Sequence, residues 1–479
     1  MMKSLHNMIH LPINYFTQVF ILYQTTLFLY NSISSLFKWG NFMKRQISFF
    51  QALATVVGAV IGAGVFFKIG TITAQTGSTS MTLFVWLIAG IVSIASGLTI
   101  SELAASLKTN GAIKYLDYTY GSIWGFLFGW AQMIVYFPAQ IGALSSIFGV
   151  QFTSLFNLPS HYSNLIAVLV VVFLTITNFI STKFSSKVQS VITVIKIIPI
   201  VLIIVWGLFN QHKIGIQLFP VTVGAGRSWA GGMSQGLLSA LFAFEGWIVV
   251  TNLANEVKNP EKDLSGSIIL GLSIITIIYI LINYAFLTVL PLAKIQGNEN
   301  AAFLASSKLF GDIGGKIVTI GILTSVYGAA NAYTLTGMRT PYILAQDKLL
   351  PFSDKIGKTN INTGVPVFGA LIVNSISIVM IALGNFDILT DMLVLVMWGF
   401  NTMLAVAVLI LRKREPERKR PFKVPLYPVI PIIAIAGGAF IIVTTIINQF
   451  WLSLVGIGLT LLGIPLYYHQ KKVNQKNND

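Results

Sequence analysis

Gly58-Ala59-Val60-Ile61-Gly62-Ala63-Gly64-Val65-Phe66 and Leu241-Phe242-Ala243-Phe244-Glu245-Gly246-Trp247 are two interruptions inside long apolar runs. Runs of about 20 apolar residues match a hydrocarbon core of ~30 Å, because each helical residue rises ~1.5 Å. A backbone in lipid must satisfy its own polar groups, so such runs are helices and not open sheet. The alternating segments of about ten residues that build a membrane barrel are absent from the sequence. Glycines in a span can serve close helix packing alone, and Gly58–Gly64 read in isolation favours that use. Glu245 raises the other reading, because a carboxylate in mid-span is costly and marks function. Paired interruptions at equivalent positions of two repeats point to the central site of a transporter.

Working outward from these stretches, the 479 residues are 55% hydrophobic and only 10% charged, and the mean hydropathy is +0.78. A soluble chain carries roughly a quarter charged residues. The pattern predicts an all-α polytopic membrane protein with twelve transmembrane helices after residue 46. They lie at approximately 48–72, 81–106, 122–150, 163–181, 188–209, 232–254, 267–290, 312–338, 365–385, 388–411, 428–447 and 450–468. If each repeat holds five spans, the interrupted spans one and six are equivalent. The chain then divides into a first five-helix repeat at 43–209, a second at 210–411, and the last two helices with the C-terminus at 412–479.

Residues 1–42 stand apart. Residues 11–37 carry no charge but include Pro12, Asn14, Gln18 and Gln24, and no small-residue cleavage site follows them. The segment reads either as an upstream extension, with translation starting at Met43, or as a thirteenth span.

The net charge of +16 could suggest a nucleic-acid partner, but its distribution argues against one. With the segment before span one placed inside, Lys44, Arg45, Lys108, Lys114, Lys183, Lys187, Lys258, Lys262, Arg339 and the basic run from Arg412 to Lys423 all fall in inside loops. The outside loops carry only Lys68, Lys213, Arg227, Lys294, Lys308 and Lys316. This is the positive-inside bias of a multi-pass protein of the cell membrane with both core termini cytoplasmic. The run Arg412–Lys423 is expected at the anionic inner leaflet, as a topology signal and not a ligand site. The chain has no cysteine, and its five histidines fall at ends or loops, which excludes thiolate metal sites and disfavours a histidine relay. No Walker-type phosphate loop and no catalytic Ser/His/Asp constellation appears, so neither a cofactor nor an enzyme activity is expected.

Where a helix unwinds, backbone N–H and C=O groups become free, and the following half-helix presents a partial positive charge at its N-terminus. Free N–H groups at Gly62, Ala63 and Gly64 could hold a carboxylate, and glycine allows the close approach. Unpaired carbonyls at Phe242, Ala243 and Phe244 could receive an ammonium. A zwitterion fits between the two breaks.

Lys196 lies deeper in span five than a snorkelling lysine would, a role that suits Lys183 or Lys187 better. It reads either as a structural counter-charge or as a fixed or protonatable cation in place of a bound sodium ion, bridging spans one and eight. Glu102 is expected as an interfacial or packing residue. Tyr136 and Trp398 are span aromatics of the kind that face lipid or other helices.

Together these residues resemble the amino acid–polyamine–organocation superfamily, and within it the L-type amino acid transporter group, with a bacterial serine/threonine exchanger as the nearest likeness. The likeness runs from about Met43 to residue 472. It rests on Ile61-Gly62-Ala63-Gly64-Val65-Phe66, on Leu241–Trp247, on Glu256-Val257-Lys258-Asn259-Pro260-Glu261-Lys262, on Lys196, and on Val424-Pro425-Leu426-Tyr427-Pro428.

The resemblance implies two inverted five-helix repeats with two discontinuous helices, plus two appended helices. It implies carboxylate binding at Ile61–Gly64, amine binding at the Phe242–Phe244 carbonyls, an aromatic gate at Phe242, and the span-five lysine at Lys196. Tyr333 and Trp398 line up with positions bordering the side-chain pocket. The chain departs from the pattern at Glu245, where animal L-type transporters usually have glycine and the bacterial exchanger an acid. It departs again at Asn110-Gly111-Ala112-Ile113-Lys114, where Gly-Gly-x-Tyr is usual, and at Tyr333, which replaces a small or basic residue. The extracellular cysteine with which animal members bind a glycoprotein partner is missing, so no obligate partner subunit is expected. The expected function is exchange of neutral L-amino acids such as serine and threonine by alternating access. The alternatives are a cationic amino acid or polyamine carrier, a proton-coupled symporter, or a non-transporting nutrient receptor.

Overall fold

Polar caps and glycine breaks divide the apolar chain into helices. The structure, a computed structural model, describes residues 39–40, 47–107, 111–180, 191–192, 195–210, 213–248, 250, 257–298, 300–361 and 363–476. The expectation for residues 1–42 lies outside these, apart from Trp39 and Gly40. Helix α1 (Phe49–Val60) opens on a capping box. The Ser48 side chain accepts from the Gln51 N–H, and the Ser48 N–H donates to Gln51 Oε1 at 2.8 Å. After a break, α2 (Gly64–Thr76) completes the first span. Helix α3 (Thr79–Leu107) follows, and α4 (Phe137–Leu155) continues a run that begins at Ser122. Then come α5 (Ile197–Phe209), α6 (Trp229–Ala243), α7 (Ser265–Val289), α8 (Ala301–Gly337) and α9 (Phe386–Arg414). Ser228 caps α6 by accepting from the Gly231 N–H at 3.0 Å, and Asn385 caps α9 by accepting from the Ile388 N–H at 2.9 Å.

Among the described residues, nine helices are long and apolar enough to cross a membrane, with Phe49–Thr76 taken across its break. Two shorter apolar helices are Ile197–Phe209 and Val367–Leu383, and the expected spans at 188–209 and 232–254 lie partly outside the described residues. The chain is thus an all-α polytopic membrane protein. Its β structure among the described residues is a two-residue antiparallel pairing of Trp39–Gly40 with Thr359–Asn360 and a single bridge from Ile47 to Val257.

Small residues set the packing. Helix α2 lies on α6, α3 on α7, and α4 on α8. A Cβ on Gly90 would stand 2.3 Å from the Thr276 side chain, and one on Gly97 would stand 2.8 Å from Leu272, so α3 and α7 approach through glycine. Spans one, two and three thus each lie against the span five places on in the sequence.

The basic run after α9 folds back onto the helices. Glu102, only 2% exposed near the end of α3, accepts from Arg412 Nε at 2.8 Å and Nη2 at 2.5 Å. It also takes the Val424 N–H at 2.8 Å and pairs with Arg420 at 3.3 Å. Arg412 in turn stacks 3.9 Å over the Tyr427 ring. A buried carboxylate needs this many donors to offset its desolvation, and neutralising it takes the ion pair from Arg412, whereas Arg420 keeps its backbone carbonyl partners. Glu102→Gln is expected to lower stability by about 2–4 kcal/mol, read as an earlier melting transition of the detergent-solubilised protein. An unchanged transition would show that the cluster is only superficial.

Candidate functional site

The break in the first span begins at Ile61, which leaves helical geometry. Ile61 turns extended (φ −73°, ψ 98°), while its N–H still closes the last turn on the Val57 carbonyl at 2.9 Å. Helix α2 restarts at Gly64, with the Phe66 and Phe67 N–H groups both bonding the Ala63 carbonyl. Among the described residues, the N–H groups of Gly62, Ala63 and Gly64 meet no backbone acceptor. They form the N-terminal end of a half-helix, where the peptide dipoles present positive charge.

The carbonyls released at the same break are treated differently. Lys196 is fully buried just before α5, and its ammonium donates to the Gly58 carbonyl at 2.6 Å and the Ile61 carbonyl at 2.5 Å. The Tyr279 hydroxyl, on α7, lies 3.0 Å from the Val60 carbonyl and 2.9 Å from the Ala243 carbonyl. One side chain thus bridges the ends of both half-helices, α1 and α6. A buried ammonium in lipid is tolerated where carbonyls replace its water, and the C-terminal end of α1 supplies them.

The second break follows Ala243. The Phe244 N–H reaches back to the Leu241 carbonyl at 3.1 Å, and the Glu245 N–H to the Phe242 carbonyl at 3.0 Å, which tightens the last turn before Gly246 at φ +110°. Only glycine holds that φ without strain, and a Cβ there would also strike the Tyr333 hydroxyl at 2.4 Å. The two breaks touch. A Cβ on Gly64 would lie 2.5 Å from Ala243 Cβ and 2.6 Å from its Cα, and one on Gly62 would lie 2.9 Å from Ala329 Cβ. Of the three candidate carbonyls, Phe242 already accepts from the Glu245 N–H, and Ala243 shares the single Tyr279 hydroxyl proton with Val60.

Glu245 is 2% exposed, and its carboxylate oxygens have no hydrogen-bond partner among the described residues. The Trp398 indole, the Tyr136 hydroxyl and the Gly246 N–H lie close to it. The Tyr333 hydroxyl lies against the same stretch, donating to the Glu245 backbone carbonyl at 3.2 Å, and its ring packs edge-on to Tyr136 with centroids 6.0 Å apart. No basic side chain forms an ion pair with Glu245 among the described residues.

The sequence-selected residues therefore gather. Ile61–Gly64 and Phe242–Glu245 meet at the breaks, Lys196 sits on the first, and Tyr333 and Trp398 stand beside the second. Lys196 reaches span one, and among the described residues its ammonium makes no hydrogen bond to α8. Sequence reading missed Tyr279, which resembles any span tyrosine, and passed over Tyr136. Tyr136 ends a π-helical turn at Gln132–Tyr136, and Pro138 two residues on is the signal that could have found that irregularity. Phe242 carries a further contact, stacking edge-on against Phe386 at 5.5 Å.

Comparison with known proteins adds an independent observation. The sequence pattern described as amino acid permease matches residues 47–460. The serine/threonine exchanger SteT of Bacillus subtilis (strain 168) is 39% identical over 439 residues, covering 90% of this chain and 98% of that protein. The human cystine/glutamate transporter is 25% identical over 431 residues, covering 89% of this chain and 85% of that protein. The mouse b(0,+)-type amino acid transporter 1 is 26% identical over 437 residues, covering 89% and 88%.

The contact between the breaks makes a definite demand on Gly64. Gly64→Ala is expected to push α2 off α6 and cost about 1–3 kcal/mol, visible as a lower melting temperature. Adding Ala243→Gly should not restore it, because the Ala243 Cα itself lies in the way. A fully stable Gly64→Ala protein would mean that the two breaks are not in contact.

Proposed function

Because the chain belongs to the amino acid permease family, we propose that it exchanges small neutral L-amino acids such as serine and threonine by alternating access, binding the zwitterion between the two breaks. The observation that carries this reading is the uneven satisfaction of the first break. Its carbonyls are occupied by Lys196 and Tyr279, whereas the N–H groups of Gly62, Ala63 and Gly64 face no acceptor among the described residues. A site left with donors only is made for an anion, and an α-carboxylate supplies one. The ammonium would take the second lone pairs of the Phe242 and Ala243 carbonyls and the Phe244 carbonyl. Phe242 would close over the bound substrate, and Tyr333 and Trp398 would border its side chain.

Contacts between α2 and α6, α3 and α7, and α4 and α8 support two five-helix repeats, 43–209 and 210–411, related by an inverted pseudo-symmetry, with residues 412–479 appended. Twelve spans with both core termini in the cytoplasm fit that arrangement and the positive-inside bias. The name of the 39% identical relative supports exchange and small neutral substrates. With no cysteine to form a disulfide, the chain would work without a covalently attached subunit.

A second reading is favoured by one observation, the buried Glu245 carboxylate with no cation beside it among the described residues. On that reading it receives a positive charge from outside the protein, as a proton or a cationic substrate side chain.

Uptake of labelled serine into proteoliposomes preloaded with amino acids tests the first reading, which expects uptake only when internal substrate is present. No uptake of any amino acid would refute it. Glu245→Gln separates the two readings. Unchanged serine exchange with loss of arginine uptake, or of stimulation by a pH gradient, supports the second. Lys196→Ala is expected to slow exchange by about tenfold or more per inserted molecule, because it removes both charge-assisted hydrogen bonds to the α1 carbonyls. Normal exchange by that variant would show that the α1 carbonyls need no cation.

A further inference from the structure

We propose that Lys68 is a positioning residue for Phe242, holding that ring down as the outer closure of the central site; this rests on the reading that places substrate beneath Phe242. Lys68 lies on α2, one turn beyond the break, and is 1% exposed. A lysine near a span end ordinarily snorkels to water. This one turns inward. Its ammonium donates to Asp387 Oδ1 at 2.8 Å and to Thr390 Oγ1 at 3.2 Å, both on α9. It also stands 5.1 Å from the centroid of the Phe242 ring and 4.9 Å from that of Phe386. Those two rings meet edge to face, at 90° and 5.5 Å. Asp391, one turn further along α9, lies within electrostatic reach of the ammonium and is tied to Gln449 Nε2 at 2.5 Å.

One charge is therefore shared by three helices. It starts on α2, lies against a ring from α6, and is anchored by a carboxylate and a hydroxyl from α9. A cation near a ring face is attracted by the ring quadrupole, more strongly where water is excluded. Swinging Phe242 away, or moving the start of α9 outward, costs the ammonium its aromatic neighbours and its anchor together. Asp387 keeps half its side chain exposed, so the pair has a wet side from which it can open. The arrangement suits a latch that forms when the outer path closes and releases when it opens. Lys196 cannot do this work, since its bonds run to the carbonyls of α1.

The absence of cysteine from the chain gives a background-free test. A single reporter, Ala329→Cys, sits beside Gly62 at the first break. Its modification by a membrane-impermeant thiol reagent, added outside intact cells, reads how often the outer path is open. Lys68→Met is expected to raise the modification rate by about fivefold, the share of a cation–π contact in the closed state. Lys68→Arg, which keeps the cation, should hold the rate near that of the parent. If Lys68→Met does not fold, Asp387→Asn, which loosens the anchor and leaves the lysine, should raise the rate by a smaller factor. An unchanged rate in a folded Lys68→Met or Asp387→Asn protein overturns the proposal, and so does an equal rise in Lys68→Arg. The labelling needs no transported substrate. A failure of uptake with every amino acid would sink the substrate reading and leave the latch to be decided by the labelling rates.

Discussion

The ammonium of Lys196 on the Gly58 and Ile61 carbonyls is the contact that lets a helix be broken in the middle of a membrane. An interrupted span exposes backbone groups that lipid cannot solvate, each costing several kcal/mol if left unpaired. Lys196 removes that cost for the Gly58 and Ile61 carbonyls, and the one Tyr279 hydroxyl proton serves either the Val60 or the Ala243 carbonyl at a time. The N–H groups at the start of α2 keep theirs. An uncharged break with both ends satisfied would be a structural kink. On the proposed function, a break with carbonyls taken up by Lys196 and donors left open serves as the anion site, at positive potential from α2.

The second break depends on the first. Gly64 admits the backbone of Ala243 to a distance that no side chain would allow, and Tyr279 joins the ends of α1 and α6 through one hydroxyl. The two discontinuities behave as one unit, so a movement of α2 carries α6 with it. Around that unit the contacts are of two kinds. Glycine-mediated contacts, such as those of Gly90 and Gly97 with α7, are extensive and apolar. Polar contacts at the margins, Lys68 with Asp387 and Glu102 with Arg412, are few and separable. Rocking of packed helices against each other would keep the first kind and exchange the second.

Much of the candidate site was legible in the sequence because membranes make polar exceptions conspicuous. Gly62–Gly64, Glu245 and Lys196 each break an otherwise apolar run, and each lies at or against the breaks. What stayed hidden was whatever an apolar span permits for several reasons. Tyr279 and Tyr136 are aromatic residues among many, and only the fold shows one lying between two helix ends and the other beside Glu245. Lys68 counted as an outside charge, and the burial of its ammonium between two rings follows from Phe386, more than 300 residues away in the chain. The basic run after α9 looked like a bilayer contact for the same reason, since nothing local announces that Arg412 and Arg420 fold back onto Glu102.

On the proposed function, the open N–H groups of Gly62, Ala63 and Gly64 receive the α-carboxylate. Calorimetric titration of the purified protein with L-serine, L-serinamide and N-acetyl-L-serine tests it directly. Binding of serine, with affinity for serinamide lower by about a hundredfold or more, is the expected result, since a buried charge-assisted site loses ~3 kcal/mol with its anion. Equal affinity for serine and serinamide would contradict it and place the carboxylate away from the break.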